Sequence, residues 1–309
     1  MKIGIGLGIG GVRDGDLTET LAAFVRAEEA GFDAVWITQI FGFDALMVLA
    51  LAGRETSRIE LGTFVVPTYP RHPVALAQQA LTASAASGGR VTLGIGLSHK
   101  VVIENMFGLD YSKPARHMRE YLSVLGPLLE GNPVAYQGEE YRVMARLSVP
   151  GATRPGLLVA GLGPRMLKLA GGMADGTATW MGGPGYLRDI AIPAVREAAA
   201  AAGRGAPRVA AALPIVATTH PDAAREAAAK LFATYGTLPS YRAVLDKEGA
   251  AGPANVAIIG TEAEVEAQLR ALAAMGVTDF NAALFPVEGD PAAVDRTSAL
   301  LAGLVRARI

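Results

Sequence analysis

The chain has 309 residues, 51% of them hydrophobic and 18% charged, with a formal net charge of −1 at pH 7, so it can bury a sizeable core. The absence of cysteine excludes disulfides, thiolate catalysis and cysteine-ligated metals, and near-neutral charge without a basic tract argues against nucleic-acid or anionic-membrane binding. No apolar run reaches the roughly 18 residues of a membrane helix and no clear signal-peptide pattern is present, so we expect a cytoplasmic protein.

Short apolar runs alternate with helix-like segments along almost the whole chain. The runs that predict strands are Lys2–Leu7, Asp33–Ile37, Ile59–Val66, Arg90–Leu97, Gly156–Ala160, Gly176–Met181, Arg208–Thr218 and Asp279–Phe285. Helices are predicted from Asp16 to Ala30 and over Asp44–Glu55, Pro73–Ser87, Pro114–Glu130, Pro164–Ala174, Leu187–Ala202, Asp222–Tyr235, Thr261–Met275 and Pro291–Ala307. Capping boxes are expected for Asp16 with Glu19 and for Thr261 with Glu264.

Two segments interrupt this alternation. Gly131–Pro155 contains short extended pieces and turn residues, and the stretch from Tyr235 to about Pro253 reads as irregular. A (β/α)8 barrel has eight strands that alternate with helices, as predicted here. Such a barrel typically has about 250 residues, so we interpret the two segments as excursions that account for the additional length. We predict one such domain over residues 1–309. An open doubly wound sheet is the main alternative.

The N-terminal glycines Gly6, Gly8 and Gly11 match the pattern G-x-G-x-x-G. The dinucleotide-binding version of this motif needs a helix that opens within it and an acidic residue at the end of the second strand. Here several residues precede the helix and the second strand ends in Thr38-Gln39. We therefore interpret the glycines as a close-approach loop at the mouth of a barrel.

Gly161-Leu162-Gly163-Pro164 lies between an apolar strand and a predicted helix. The backbone N–H groups of such a turn and the start of the helix favour an anion, which predicts phosphate binding rather than a simple tight turn. Trp180-Met181-Gly182-Gly183-Pro184 repeats the arrangement after the next strand. For Trp180 itself, core packing is the alternative.

Side chains that would carry chemistry on their own are few. The four histidines, His72, His99, His117 and His220, form no metal-ligand spacing, and His99 alone directly follows a strand end. Ser98 and Thr38 are nucleophiles by type but lie in no nucleophile elbow, and no paired carboxylates follow successive strands. This pattern indicates a bound cofactor that supplies the reactive group.

Several segments in the right order resemble the luciferase-like flavin and deazaflavin oxidoreductases. They are EEAGFDAVWITQ, LGTFVVP, RHPVALAQQALTASAASGGRVTLGIG, FGLDYSKPARHMREYLSVL, ADGTATWMGGP and GTEAEVEAQLRALAAMGVTDF. The ending WMGGP is more similar to the subgroup that uses coenzyme F420, a 5-deazaflavin that transfers hydride. The resemblance implies a barrel with a ring-binding mouth, in which Phe64-Val65 forms a bulged peptide, often cis, behind the ring. Gln39 and His99 stand where relatives often have histidine and glutamate.

On this resemblance, Gln39 and His99 are the candidate catalytic residues. The predicted cofactor contacts are Thr38, Gln39, Phe64, Val65, Gly96, Leu97, Ser98, His99, Ala160, Gly161, Leu162, Gly163, Trp180, Met181 and Gly182. The expected function is an F420-dependent oxidoreductase acting on a small organic substrate, without a metal, as a homodimer. An FMN-dependent monooxygenase supplied with reduced flavin by a separate enzyme is the first alternative, and a non-catalytic flavin-binding protein is the second.

Overall fold

The computed structural model describes residues 1–8 and 15–308, so Gly11 of the predicted N-terminal motif lies outside the described residues. Its strands are β1 (Lys2–Leu7), β2 (Ala34–Ile37), β3 (Glu60–Thr63), β4 (Val66–Pro67), β5 (Val91–Gly96), β6 (Val134–Gln137), β7 (Arg142–Ala145), β8 (Gly156–Ala160), β9 (Gly176–Trp180), β10 (Arg208–Ala217), β11 (Ile258–Gly260) and β12 (Asp279–Leu284).

The helices of the described residues follow the strands in alternation. They are α1 (Leu17–Ala30), α2 (Ala45–Glu55), α3 (Pro73–Ser87), α4 (Lys100–Asn105), α5 (Pro114–Leu129), α6 (Pro164–Met173), α7 (Pro184–Tyr186), α8 (Ile192–Ala201), α9 (Pro221–Leu231), α10 (Pro239–Glu248), α11 (Glu262–Met275) and α12 (Ala293–Ala307). A π turn over Leu187–Ala191 joins α7 to α8, and single 3-10 turns cover Ala233–Gly236 and Pro253–Val256.

Hydrogen bonds arrange the main strands in the order β10-β12-β1-β2-β3-β5-β8-β9, and β9 also pairs with β10. The order is cyclic and the pairs β1–β2, β1–β12 and β5–β8 are parallel, so the fold is the predicted (β/α)8 barrel and not an open doubly wound sheet. All eight barrel strands were predicted, because strands covered on both faces are nearly continuous apolar runs.

Internal contacts divide the chain into two compact units. Unit 1 comprises Met1–Ile37, Ala178–Ala194 and Arg208–Ile309, and unit 2 comprises Thr38–Thr177 and Val195–Pro207. Most of the predicted site residues, from Thr38 to Gly163, belong to unit 2, and Trp180, Met181 and Gly182 belong to unit 1.

The two predicted helix caps differ in outcome. Thr261 and Glu264 form a complete capping box, in which Glu264 Oε2 accepts the Thr261 N–H at 2.8 Å. Asp16 caps α1 by accepting the Glu19 N–H at 2.9 Å, but the reciprocal bond predicted for Glu19 is wrong. Its carboxylate binds Arg26 at 2.6 Å instead, because that guanidinium offers a charged partner within reach.

Both excursions exist, but the second is more regular than predicted. In the first, β6 and β7 form an antiparallel hairpin. The predicted irregular stretch after Tyr235 is wrong, since it contains α10, and the unpredicted strand β11 follows and pairs with β10. Pro239 at the start of α10 and Gly249 at its end, with φ of +73°, are ordinary helix-end signals that the sequence carried. The short helix α4 was also not predicted.

Candidate functional site

The third predicted strand is divided in two at Phe64-Val65. β3 ends at Thr63, β4 begins at Val66, and the peptide bond between Phe64 and Val65 is cis, which confirms the geometry implied by the family resemblance. Thr63 Oγ1 donates to Gly94 O and accepts from Gly94 N, each at 2.8 Å. This side chain therefore holds β3 against β5 at the interruption, where the regular ladder stops.

Glycines of β5 make room for the interrupted segment. A Cβ added to Gly96 would lie 2.7 Å from Val65 Cγ2, and one added to Gly94 would lie 2.2 Å from Thr63 O. Both distances are shorter than real Cβ contacts allow, so a side chain at either position would displace this segment. Gly96, a predicted cofactor contact, therefore has a packing role in seating Val65.

The end of β5 continues into Leu97, Ser98 and His99, all half-buried. Ser98 has a φ of +60°, a left-handed conformation that is uncommon for a residue with a side chain and that clusters at functional sites. Tyr111 Oη donates to Ser98 O at 3.2 Å and supports this turn. Burial lowers the pKa of His99, so its imidazole is neutral near pH 7.

Gln39, the other candidate catalytic residue, is engaged in local structure. Its Oε1 accepts the Ala45 N–H at 2.7 Å, at the start of α2, where Asp44 is the N-cap. The amide oxygen is thus already used, and the amide nitrogen is the atom that Gln39 can offer to a ligand. An amide neither ionises nor becomes protonated near pH 7, so Gln39 can orient a ligand but cannot act as its base.

The predicted anion-binding turn lies between β8 and α6. Gly163 is the N-cap of α6 without a side-chain capping bond, and a Cβ built on it would meet no atom within 4 Å. Arg165, in the first turn, is exposed and has no ion pair among residues 1–8 and 15–308. Free space, helix N–H groups and an available cation together fit a phosphate group. Sequence reasoning missed Arg165, although a cation in the first turn of this helix was visible.

The second glycine-rich turn, in unit 1, is arranged differently. Glu248, at the end of α10, accepts the Gly185 N–H at 3.0 Å and the Tyr186 N–H at 2.6 Å. A Cβ on Gly183 would lie 2.4 Å from Glu248 Cδ. A carboxylate of the chain itself therefore binds the N–H groups at this helix start, which are the groups that a phosphate would need.

Trp180 and its neighbours in unit 1 are well packed. Trp180 makes edge contacts with Phe232 and Tyr235, at centroid distances of 5.8 and 5.5 Å, so core packing describes its position. A Cβ on Gly182 would lie 3.0 Å from the Tyr186 ring. Met181 has a φ of +60°, like Ser98. Contact of these three residues with a cofactor stays a prediction.

A cluster of aromatic rings in unit 2, in which His117 is buried and Tyr69 and Tyr141 are half-buried, was missed by sequence reasoning. The rings of Tyr69 and His117 stack with centroids 3.8 Å apart and planes within 1°. His117 Nε2 lies 2.9 Å from Thr68 Oγ1, and its Nδ1 lies 3.5 Å from Tyr141 Oη. Burial lowers the pKa of His117 to about 4, although nearby carboxylates oppose that shift. These tyrosines are spread over about 70 residues without a regular spacing, so no sequence pattern predicts that they meet. The fold brings them together.

The remaining candidate side chains have ordinary structural surroundings. His72 caps α3, with Nδ1 3.3 Å from the Val74 N–H, and His220 is exposed at the start of α9. Thr38 is half-buried. Within the described part of the chain, no three His, Asp or Glu side chains are grouped to hold a metal ion, and no helix is long and apolar enough to cross a membrane.

Comparison with known proteins identifies relatives along the chain. The model of the luciferase-like monooxygenase family matches residues 2–299. A putative coenzyme F420-dependent oxidoreductase of Mycobacterium tuberculosis is 38% identical over 144 residues, which is 46% of this chain and 41% of that protein. The 5,10-methylenetetrahydromethanopterin reductase of Methanopyrus kandleri is 34% identical over 198 residues, which is 58% of this chain and 56% of that enzyme.

Solved structures share the fold over almost the full length. The coenzyme F420-dependent tetrahydromethanopterin reductase of Methanopyrus kandleri superimposes with a TM-score of 0.78 and 25% identity, covering 98% of this chain and 97% of that one. The oxygenating constituent of 3,6-diketocamphane monooxygenase of Pseudomonas putida, solved with FMN, has a TM-score of 0.77 and 17% identity, covering 100% and 98%. At 17% identity, the second comparison supports a shared fold only.

Proposed function

Because the chain belongs to the luciferase-like monooxygenase family, we propose that it is a coenzyme F420-dependent oxidoreductase. When bound, the deazaflavin would exchange hydride at its C5 with a small organic substrate that carries a carbonyl group or an activated double bond. The proposal rests on relatives named as F420-dependent enzymes and on a site in unit 2 that fits an anionic tail.

The observation that carries the proposal is the turn at Gly161–Gly163. It combines an N-cap with no side-chain bond, open space beside Gly163, and the cation of Arg165 in the first turn of α6. A phosphate at this position would accept hydrogen bonds from N–H groups at the start of α6 and would be favoured by the helix dipole by roughly 0.3–1 kcal/mol. Leu162 and Ala160 would line the adjacent tail.

The ring would lie against the β3–β5 segment of unit 2. Phe64 and Val65 form its backing, and Ser98 and His99 lie at the neighbouring strand end. The Gln39 amide nitrogen would donate to the ring or the substrate. Since the Gln39 amide neither gains nor loses a proton near pH 7, we assign Gln39 to orientation. Burial keeps His99 neutral, so its imidazole would hydrogen-bond to the ligand or accept a proton, and water can supply one.

Titration of the purified chain with F420, reduced F420, FMN and reduced FMN tests the proposal. We expect F420 in either state to bind and to quench or shift its own absorbance and fluorescence, and FMN to bind at least ten-fold more weakly. Tight binding of FMN with none of F420 would replace the proposal with the FMN monooxygenase. Binding without turnover against a broad panel of ketones and enones would favour the non-catalytic alternative.

We further propose that the enzyme is a cytoplasmic homodimer and that a separate enzyme reduces its cofactor. Met47 and Leu51, four residues apart on α2, are exposed apolar side chains on one helical face, which supports burial against a second copy. Light scattering should give twice the chain mass of 31.9 kDa. A monomeric mass at micromolar concentration would exclude the dimer.

A further inference from the structure

A stack of three rings in unit 2 adjoins the proposed site, and none of the three is among the proposed cofactor contacts. Tyr69 stacks on His117 and also on Tyr111, whose ring centroid is 5.1 Å away at an interplanar angle of 27°. Two hydrogen bonds fasten the stack to the end of β5. Thr68 N donates to Gly96 O at 2.9 Å, and Tyr111 Oη donates to Ser98 O at 3.2 Å. The stack therefore lies beside Ser98 and His99.

The hydroxyl of Tyr69 is buried and makes no hydrogen bond with any residue that the structure describes. Other hydroxyls of the cluster are engaged. Tyr111 Oη binds Ser98 O, and Tyr121 Oη donates to Arg71 O at 3.1 Å. A buried hydroxyl without a partner costs roughly 1–3 kcal/mol, and such groups call for an explanation in a folded chain. A ligand that brings an acceptor would remove this cost.

The charge state of the cluster restricts that ligand. Burial raises the pKa of Tyr69, and Tyr111 and the carboxylates of Glu140 and Asp110 raise it further, so the phenol stays protonated and can donate. His117 is neutral near pH 7. The same carboxylates that disfavour a phenolate also disfavour an anionic ligand at this hydroxyl, and a neutral acceptor meets no such repulsion.

Apolar side chains follow two of the strand ends of the site. Phe41 comes two residues after Gln39, Phe107 follows α4, and their rings are 6.4 Å apart in a stacked arrangement. They are 59% and 42% exposed, and Met106 is 61% exposed. Apolar surface of a ligand buried here would contribute about 25 cal/mol per Å2. The loops after β2 and β5 therefore favour an apolar ligand.

We propose that the Tyr69 hydroxyl donates a hydrogen bond to the substrate, and that the substrate is an uncharged, mainly apolar compound with an oxygen acceptor, such as an aryl ketone or enone. This inference rests on the proposed function, since it concerns the substrate of the same site. Tyr69 is then a specificity-determining residue, and its contribution is a contact that the ligand-free chain does not make.

The test measures binding to the chain without cofactor, by calorimetry with three matched probes. Acetophenone is neutral and carries an acceptor, ethylbenzene lacks the acceptor, and benzoate is anionic. In the wild-type chain acetophenone should bind most tightly. Tyr69→Phe should weaken acetophenone about five-fold, in keeping with one neutral hydrogen bond, and leave ethylbenzene unchanged. Tyr121→Phe is the control, because its hydroxyl binds a backbone carbonyl, and it should leave all three affinities unchanged.

Thermal unfolding of the same variants separates a ligand contact from a structural role. Tyr69→Phe removes an unpartnered hydroxyl, so its melting temperature should equal or exceed that of the wild type, whereas Tyr121→Phe should melt lower. Equal acetophenone affinity in wild type and Tyr69→Phe, tighter binding of benzoate, or no binding of any probe at millimolar concentration overturns the inference.

F420 titration of the wild type and of Tyr69→Phe distinguishes this inference from the proposed function. Intact F420 binding with acetophenone affinity unaffected by Tyr69→Phe overturns only the role of Tyr69. If the wild type does not bind F420 but still binds acetophenone more tightly than Tyr69→Phe does, only the proposed cofactor is overturned.

Discussion

Two glycine-proline turns in this chain look alike in sequence but differ in structure. Gly161-Leu162-Gly163-Pro164 of unit 2 opens α6 with no side-chain cap, beside free space. Trp180-Met181-Gly182-Gly183-Pro184 of unit 1 leads into a helix start whose N–H groups of Gly185 and Tyr186 are held by Glu248. A glycine-rich helix start thus predicts an anion, and the fold decides whether that anion is a ligand or a side chain of the same protein.

The two units also differ in their response to acid. Burial lowers the pKa of His117 in unit 2 from 6.5 to about 4, so the unfolded chain takes up this proton before the folded chain does. Protonation of this histidine therefore leaves the free energy of unfolding unaffected above about pH 6.5 and lowers it by about 3 kcal/mol as the pH approaches 4. In unit 1 the pKa of the Asp290 carboxyl, which is bonded to Arg296 and Thr218, is lowered from 3.8 to about 2, so its contribution to stability is present above pH 3.8 and is lost as the pH falls toward 2.

Urea unfolding between pH 7 and 4 measures this effect, the largest that we predict. His117→Gln should flatten the pH dependence even if it lowers the stability throughout, because the titrating group is gone. An unchanged slope in His117→Gln would show that other groups cause the acid sensitivity. His99, whose pKa is also lowered by burial, acts in the same direction, and His99→Gln serves as the comparison.

The closed turn should depend on Glu248 for stability. Glu248→Ala leaves the N–H groups of Gly185 and Tyr186 without their carboxylate, which should cost about 2 kcal/mol in the free energy of unfolding. Glu248→Gln keeps one acceptor oxygen and should lose about half as much. Equal stability of Glu248→Ala and the wild type would mean that solvent replaces the carboxylate at no cost, and the distinction between the two turns would weaken.

The open turn should depend on its glycine for binding instead of stability. Gly163→Ala places a methyl group in free space, so the melting temperature should stay constant while F420 binds about ten-fold more weakly, or about 1.4 kcal/mol. Gly183→Ala is the matched change in the closed turn. Its methyl group would displace Glu248, so it should lower the melting temperature and leave F420 affinity within two-fold. The reverse pattern would exchange the roles of the two turns.

The smallest predicted effect concerns Arg165. Its exposed guanidinium has no ion pair within residues 1–8 and 15–308, so Arg165→Gln should leave stability unchanged. We expect F420 affinity to fall about three-fold at 50 mM salt and less at 500 mM, because salt screens an exposed charge. Lys168→Gln, one turn further along α6, is the control and should have a smaller effect.

The barrel strands and the outline of the site follow from local sequence patterns. Strands such as Gly156–Ala160 are buried apolar runs, the helix starts at Asp16 and Thr261 carry local capping residues, and Pro164 marks the first turn of α6. Local patterns do not predict whether a side chain of the protein binds the N–H groups of each glycine-proline turn. Glu248 lies 63 residues from Gly185, and Tyr69 lies about 50 residues from His117, so these contacts exist only once the chain has folded. The excursion that contains α10 was predicted to be irregular because the few apolar residues of this short helix stand among charged ones, so no clear helical periodicity is visible in the sequence.

One carboxylate in unit 2 has a consequence for engineering. Glu120 of α5 accepts the N–H groups of Glu139, Glu140 and Tyr141 at 2.9–3.1 Å, at the turn between β6 and β7. Burial alone would raise the pKa of Glu120, but these three donors lower it overall, so the carboxylate stays ionised. Glu120 thus holds the hairpin turn through backbone N–H groups, and Arg116 of the same helix adds ion pairs to the side chains of Glu139 and Glu140. Because the bonds to Glu120 use backbone groups, which all sequences share, the strands of this hairpin can be recoded, provided that Glu120, the ion pairs of Arg116 and the turn geometry are kept.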